Sequence, residues 1–476
     1  MLFNSFDFLF FFIIVVSLYF VLPQPKRWIL LLLSSCIFYM AFVPIYILIL
    51  GFTILVDYFA GIYIEKAQGK RKKLFLIYSL IANIGVLCIF KYYNFINTNF
   101  SFLLHGFGLT NPIPYLSILL PIGLSFHTFQ AMSYTIEVYR GNQKAEHHFG
   151  LYALYVMFFP QLVAGPIERP QNLLHQFRQQ HYFDSNRVFE GLKIMIWGLF
   201  KKLVIADRLS IYVNNAYNHA PQQDGITLLM ATVFFSFQIY CDFSGYSDIA
   251  IGAAKVMGFD LMTNFKRPLF AKSTAEFWKR WHISLSTWFK DYLYFPLGGN
   301  KRSVPRTYMN LMIVFLISGL WHGANWNFFI WGGINGFYLV FAIITKKWQA
   351  HFTKASGLGN FPKVNLFLQI ITTFTLICFS RVFFRSQSIS DAVFIFKKMA
   401  TFKGSIFNSG SAIIIYCFFA IGFLLAVEFK KEFYKGTFTL SHNKYFWVRN
   451  CYYSLLVILI ILIGVFDGGQ FIYFQF

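Results

Sequence analysis

The chain has 476 residues, of which 57% are hydrophobic and only 13% charged, with 63 phenylalanines. A soluble domain carries about 25% charged residues, so a water-soluble globule is excluded. The formal net charge of +22 does not mark nucleic-acid binding, because the basic residues sit mostly in short connections between apolar runs, the pattern of cytoplasmic loops in membrane proteins.

Apolar runs approaching the ~20 residues that cross a bilayer are predicted at 7–23, 28–43, 45–63, 74–90, 114–136, 191–213, 226–248, 308–323, 325–345, 365–384, 411–428 and 450–467. The first, in "MLFNSFDFLFFFIIVVSLYFVLPQPKR", lacks a basic leader and a small-residue cleavage site, so it reads as an uncleaved span. The run at 150–165 is short and ends in "GPIERP". It is expected to be re-entrant or buried against the bundle. Lys26–Arg27, the "EKAQGKRKK" run, Arg140–Lys144, Lys346–Lys347 and Lys430–Lys431–Lys435 fall on alternate connections. These are expected on the cytoplasmic side, which puts both termini outside. Lys397, Lys398 and Lys403 run against that trend.

The longest polar stretch, 249–307, is rich in Lys and Arg and carries Trp278, Trp281 and Trp288. It is expected to be a cytoplasmic or interfacial segment of one domain spanning 1–467, with 468–476 as a tail. The six cysteines are scattered without C-x-x-C spacing and read as reduced, buried thiols. No inverted repeat is evident, which weakens a secondary-transporter reading.

Polar residues at membrane depth are costly, so each is a functional candidate. In "FLISGLWHGANWNFFIWGG", His322 is flanked by Trp321 and followed by Asn325 and Trp326. A neutral histidine there either accepts a proton or merely packs against a backbone carbonyl. In "FWKRWHISLSTWFKDYLYFPLGGN", His282 follows Trp281 and precedes Ser284, Ser286, Trp288, Lys290, Asp291 and Tyr292. Two histidines without further regularly spaced ligands do not make a metal site, so none is expected. In "FQIYCDFSGYSDIA", Asp242, Ser244, Tyr246 and Asp248 mark the end of an apolar run, as functional groups or as helix caps. His127, Gln130 and Tyr134 share one helical face, which lines a polar cavity or bonds a neighbouring helix. No G-x-x-x-x-G-K-S/T, G-x-S-x-G or H-E-x-x-H occurs, so ATPase, α/β-hydrolase and zincin readings have no support.

"WHISLSTWFKDYLYFPLGGN", followed about 40 residues later by "WHGANW", resembles the membrane-bound O-acyltransferase family. "PIGLSFHTFQAMSYTIEVYRG", "FFPQLVAGPIERP" and "DFSGYSDIAIG" resemble its bacterial, alginate O-acetylation branch in the same order, over roughly residues 1–400. Where that branch more often has Arg, this chain has Lys290 and Lys301, which keep the charge and lose the bidentate fork. The resemblance implies an all-α polytopic fold, a ring of about 11–13 helices around a thinned centre with cytoplasmic and extracellular funnels. It implies His322 as the active-site histidine and His282 as a second functional position. It further implies no bound cofactor and a donor that is acetyl-CoA or an acyl-carrier thioester. The acceptor is an extracellular polysaccharide, reached with an extracytoplasmic partner protein. Direct transfer to a lipid or sugar, and polymer or lipid transport without acyl chemistry, are the competing readings.

The chain ends in "DGGQFIYFQF". By composition this is an interfacial aromatic belt. By resemblance to the tail of the small partner in the related D-alanylation system, Tyr473 is an acyl carrier, with Phe471, Phe474 and Phe476 as anchors. A phenol ionises well below an alkyl alcohol, so its ester keeps transfer potential.

Overall fold

The computed structural model describes residues 1–117, 120–163, 165–405, 411–434, 443, 445–466 and 471–472. Among these, all regular structure is helical. Among the described residues, eight helices are long and apolar enough to cross a membrane: Pro44–Lys66, Gly69–Gly106, Gly225–Met257, Val304–His322, Trp326–Ile344, Pro362–Arg385, Ala412–Phe433 and Phe446–Ile463. Phe6–Val21 is apolar but shorter. This is a multi-pass membrane protein.

Four of the twelve predicted runs are not among these spans: Phe6–Val21 and three more. The helix expected over 114–136 begins only at Leu124, after Gly123 in the left-handed region. Pro112, Pro114 and Pro121 upstream cannot donate to a helical ladder. The run at 191–213 breaks into Ser185–Leu199, a π-helical stretch Phe200–Ala206, and Asp207–Asn218. Such π segments often mark functional sites. The run at 28–43 is a 17-residue helix, Gln24–Met40.

The chain divides into two compact units, Met1–Met195 with Ser247–Met262, and Ile196–Tyr246 with Thr263–Phe476. In the first, Asp57 is fully buried and accepts from Ser79 Oγ at 2.6 Å and Asn83 Nδ2 at 2.9 Å. Ser79 Oγ also lies 3.0 Å from Thr135 Oγ1, so one carboxylate ties together Ile47–Lys66, Gly69–Leu87 and Leu124–Arg140. The 150–165 run forms the buried helices Phe149–Met157 and Phe159–Leu162. Glu168 of "GPIERP" is buried, accepts from the Met262 and Asn172 N–H groups, and has its carboxyl pushed up to about 7 by burial.

In the second unit the helices Val304–His322 and Trp326–Ile344 form a tight hairpin. A Cβ on Gly319 would lie 2.2 Å from the Phe328 carbonyl oxygen, and one on Gly332 2.3 Å from that of Phe315. Only glycine permits this approach. The polar segment from Thr263 onward is a folded part of this unit, with the short helices Thr274–Arg280 and Ile283–Phe289. Glu432 fastens it, accepting from Arg267 at 2.6 Å and from Arg280 at 2.8 Å. The cysteines are all free: Cys241, Cys378 and Cys417 are buried, Cys36 and Cys88 half-buried, and Cys451 is exposed, against the expectation for it.

Candidate active site

His322 is the last residue of Val304–His322. Gly323 turns the chain toward Trp326–Ile344, and any side chain there would run into the Phe328 ring. The imidazole is buried among three aromatic rings. Trp331 stands perpendicular to it at 5.0 Å, Trp321 at 5.0 Å and Phe384 at 5.6 Å.

His282 lies between the two short helices with φ 43°, a left-handed backbone rare for a residue with a side chain. Such outliers concentrate at functional sites. Its backbone neighbour holds the turn: Ile283 N–H donates to the Asn264 carbonyl at 2.9 Å. The ring is buried, edge-on to Phe243 at 4.6 Å. Burial pushes its pKa down to about 3, so the imidazole is neutral at ordinary pH. Trp321 connects the two histidines, its ring 6.3 Å from His282 and 5.0 Å from His322.

Beside them is a narrow, partly open pocket walled by Phe277, Trp278, Trp281, Trp331 and Phe384, with Arg381 and Asn335 among its polar residues. The Arg381 guanidinium is buried, stacks over Trp281 at 4.7 Å and donates to the Ser236 carbonyl at 2.9 Å. Trp278 Nε1 and Asn335 Oδ1 are buried without a hydrogen-bond partner. A donor and an acceptor left open in a cavity are what a polar ligand would satisfy.

A third group forms around Gly225–Met257. Lys202 Nζ donates to Asp207 and Asp242, both at 2.7 Å, and all three side chains are buried. Lys201 donates to Ser244 at 2.9 Å. The far end of the chain comes to this place. Val465 N–H donates to the Leu203 carbonyl at 3.1 Å, and Arg208 to that of Ile463 at 2.6 Å. Ile472 N–H then donates to the second Asp242 oxygen at 2.8 Å. Phe471 is fully buried, 4.6 Å from the Tyr246 ring and 5.4 Å from Phe243.

Of the sequence candidates, the second unit brings together His322, His282, Trp281, Ser284, Trp321, Asp242, Ser244, Tyr246 and Phe471. Asp242, Ser244 and Tyr246 lie inside the helix Gly225–Met257 and are not caps. Trp288 is buried against Tyr292 at 5.1 Å, and Ser286 returns its hydroxyl to the Trp281 carbonyl. Lys290 is exposed, with Asp291 3.9 Å away. Asn325 is an exposed helix N-cap, accepting from Asn327 N–H at 3.0 Å. His127 and Gln130 are buried in the first unit, where Gln130 donates to the Tyr155 carbonyl. Tyr473, Phe474 and Phe476 lie outside the described residues.

Sequence reasoning missed Asn264, Arg381, Asn335, Lys202, Asp207 and Glu428. Glu428 lies in the apolar helix Ala412–Phe433, one turn before Glu432, is buried, and accepts from Tyr240 Oη. A charged residue within an apolar helix, as Glu428 is in Ala412–Phe433 and Arg381 in Pro362–Arg385, was the available signal.

A helical membrane chain that buries two imidazoles around one indole, beside a cavity holding a guanidinium, has the equipment of a membrane-embedded group-transfer enzyme. Comparison with known proteins narrows the class. Residues 139–381 match the model of the membrane-bound O-acyltransferase family, MBOAT. The chain is 37% identical over 405 residues to the probable alginate O-acetylase AlgI of Pseudomonas aeruginosa, covering 84% of this chain and 75% of the relative. It is 36% identical over 443 residues to the peptidoglycan O-acetyltransferase of Helicobacter pylori, covering 85% and 80%. It is 29% identical over 290 residues to the teichoic acid D-alanyltransferase of Streptococcus thermophilus, covering 56% and 69%. The chain therefore belongs to the MBOAT family and is an O-acyltransferase, as the sequence resemblance implied.

Proposed function

We propose that this enzyme takes an acetyl group from a cytoplasmic thioester, acetyl-CoA or an acyl-carrier thioester. It passes the group through the phenol of Tyr473 to an extracellular polysaccharide, with an extracytoplasmic partner completing the transfer. The setting is the inner membrane of a bacterium, with both termini on the outer side. Relatives named for alginate and for peptidoglycan O-acetylation support a polysaccharide acceptor.

The observation that carries the tail's role is the burial of Phe471 and Ile472. An aromatic belt at a span end would face lipid headgroups. Here the chain just before Tyr473 is bonded to Asp242 and packed on Phe243, whose ring also meets His282. That supports a tail used inside the protein.

In the first transfer the Tyr473 oxygen attacks the thioester carbonyl. The C–O bond forms, the phenolic proton passes to His322, and collapse breaks the C–S bond, the thiolate leaving with that proton. Arg381 and the Trp278 N–H supply positive character near the developing oxyanion. In the second transfer an acceptor hydroxyl takes the acetyl group and restores the phenol.

Tyr473→Phe keeps the aromatic surface and removes one oxygen. It is expected to abolish polymer acetylation in cells at an unchanged membrane level of enzyme. Mass spectrometry of the C-terminal peptide should find an acetyl adduct on Tyr473 in the parent protein. Normal polymer acetylation by the variant would overturn the carrier reading.

A further inference from the structure

Three groups lie within hydrogen-bond reach of the Asn264 side-chain oxygen. Ser284 N–H lies 3.3 Å from it, Ser284 Oγ 2.9 Å and His282 Nδ1 3.1 Å. A side-chain amide can face either way round, and its neighbours decide which. A backbone N–H can only donate, so the atom it meets must be the carbonyl oxygen. That oxygen can only accept, and the Ser284 hydroxyl, 3.5 Å from Nδ1, donates to the nearer Asn264 oxygen at 2.9 Å, so the imidazole nitrogen carries the hydrogen. In a neutral imidazole the other nitrogen, Nε2, then holds the basic lone pair.

The same residue also fixes where the ring stands. Asn264 is fully buried, and its backbone carbonyl holds Ile283 N–H, which closes the left-handed turn at His282. Two residues along, Lys266 N–H donates to the Arg280 carbonyl at 2.9 Å. The strand of chain carrying Asn264 is thereby zipped to the one carrying His282 on both sides of the ring. Phe243 and Trp321 bound the ring itself, at 4.6 and 6.3 Å. Orientation by an uncharged amide differs from orientation by a carboxylate. It sets the tautomer while stabilising an imidazolium less than a carboxylate would, so the ring passes a proton on more readily.

We infer that Asn264 is a positioning residue that holds His282 as the Nδ1–H tautomer and so makes Nε2 the proton-accepting atom of this histidine during acyl transfer. The inference concerns His282 and is independent of whether Tyr473 carries the acyl group.

The direct test is ¹⁵N solid-state NMR of the full chain in lipid with labelled histidine, His282 being identified by difference against His282→Gln. Its Nδ1 should give the protonated signal and Nε2 the unprotonated one. Asn264→Leu should mix or reverse the two. A native Nε2–H signal would overturn the inference, as would a tautomer unchanged in Asn264→Leu. Kinetics with acetyl-CoA supply a second reading. Asn264→Leu should lower kcat about 10²-fold, within the range that positioned proton transfer contributes, with KM nearly constant. Asn264→Asp, which keeps an acceptor at the same point, should recover activity to within about tenfold of the parent. An Asn264→Asp enzyme as impaired as Asn264→Leu, or a loss confined to KM, would instead mean a packing role. Should Asn264→Leu not accumulate in the membrane, Asn264→Ser, too short to reach Nδ1, is read the same way.

Discussion

The two histidines of the second unit are held by opposite means. His322 ends a membrane-spanning helix and is gripped by rings, Trp321, Trp331 and Phe384. His282 sits in a strained turn outside the spans and is gripped by hydrogen bonds through Asn264. Ring contacts fix the plane of an imidazole without choosing which nitrogen carries hydrogen. A single acceptor fixes which nitrogen carries hydrogen. The first arrangement suits a group that gains and loses a proton in each cycle. The second suits a group whose Nε2 must stay free of hydrogen until the proton it accepts arrives.

The comparison breaks most visibly at His322. His322→Ala should lower acyl transfer by roughly 10²- to 10⁴-fold, measured on purified enzyme with membrane level as the control. An effect under tenfold would mean that the ring cage only packs. Gly319→Val tests the cage rather than the base. It drives a side chain into the Phe328 carbonyl, and should destabilise the hairpin by ~3 kcal/mol or more, read as a fall in melting temperature in detergent.

The second pair of tests addresses charge. Asp242→Ala strips Lys202 of one carboxylate and Ile472 N–H of its acceptor. A loss of about 3 kcal/mol is expected, with the C-terminal segment cleaved faster in limited proteolysis than in the parent. His282 is neutral when folded because burial lowers its pKa to about 3 from the ordinary 6.5. The unfolded chain therefore binds this proton first as pH falls, and stability is lost from pH 6.5 downward toward 3. Between pH 7.5 and 5 the parent should lose ~2 kcal/mol more than His282→Gln. Glu168, with its carboxyl pushed up to about 7, works in the opposite sense in both proteins and cancels from the difference. The smallest effect belongs to Asn325. As an N-cap it should cost about 1 kcal/mol when changed to Ala, with activity retained. A large loss of kcat at unchanged melting temperature would return it to the catalytic centre.

Much of the candidate site was legible in the sequence. His322 and His282 stand out because a polar group beside a long apolar run must be satisfied or used. Their tryptophan neighbours, Trp321 and Trp281, fell in the same short motifs, and adjacency in sequence became adjacency in space. Asn325 sat in the same motif and went elsewhere, since the first residues of Trp326–Ile344 needed a cap. Asp242 was visible as a polar interruption. Its partner Lys202 was not, because it lay in a run that reads as a plain span and folds as a π segment.

Composition and hydrophobic periodicity by themselves determined that this is a helical membrane protein, for those properties depend on neighbours within about 20 residues. Motif spacing singled out the two histidines. The tertiary structure alone decided what each polar group meets. Asn264 reaches His282 across 18 residues, and Ile472 reaches Asp242 across 230. Such partners are chosen by how helices pack and where turns close, and no local pattern in the chain records that choice.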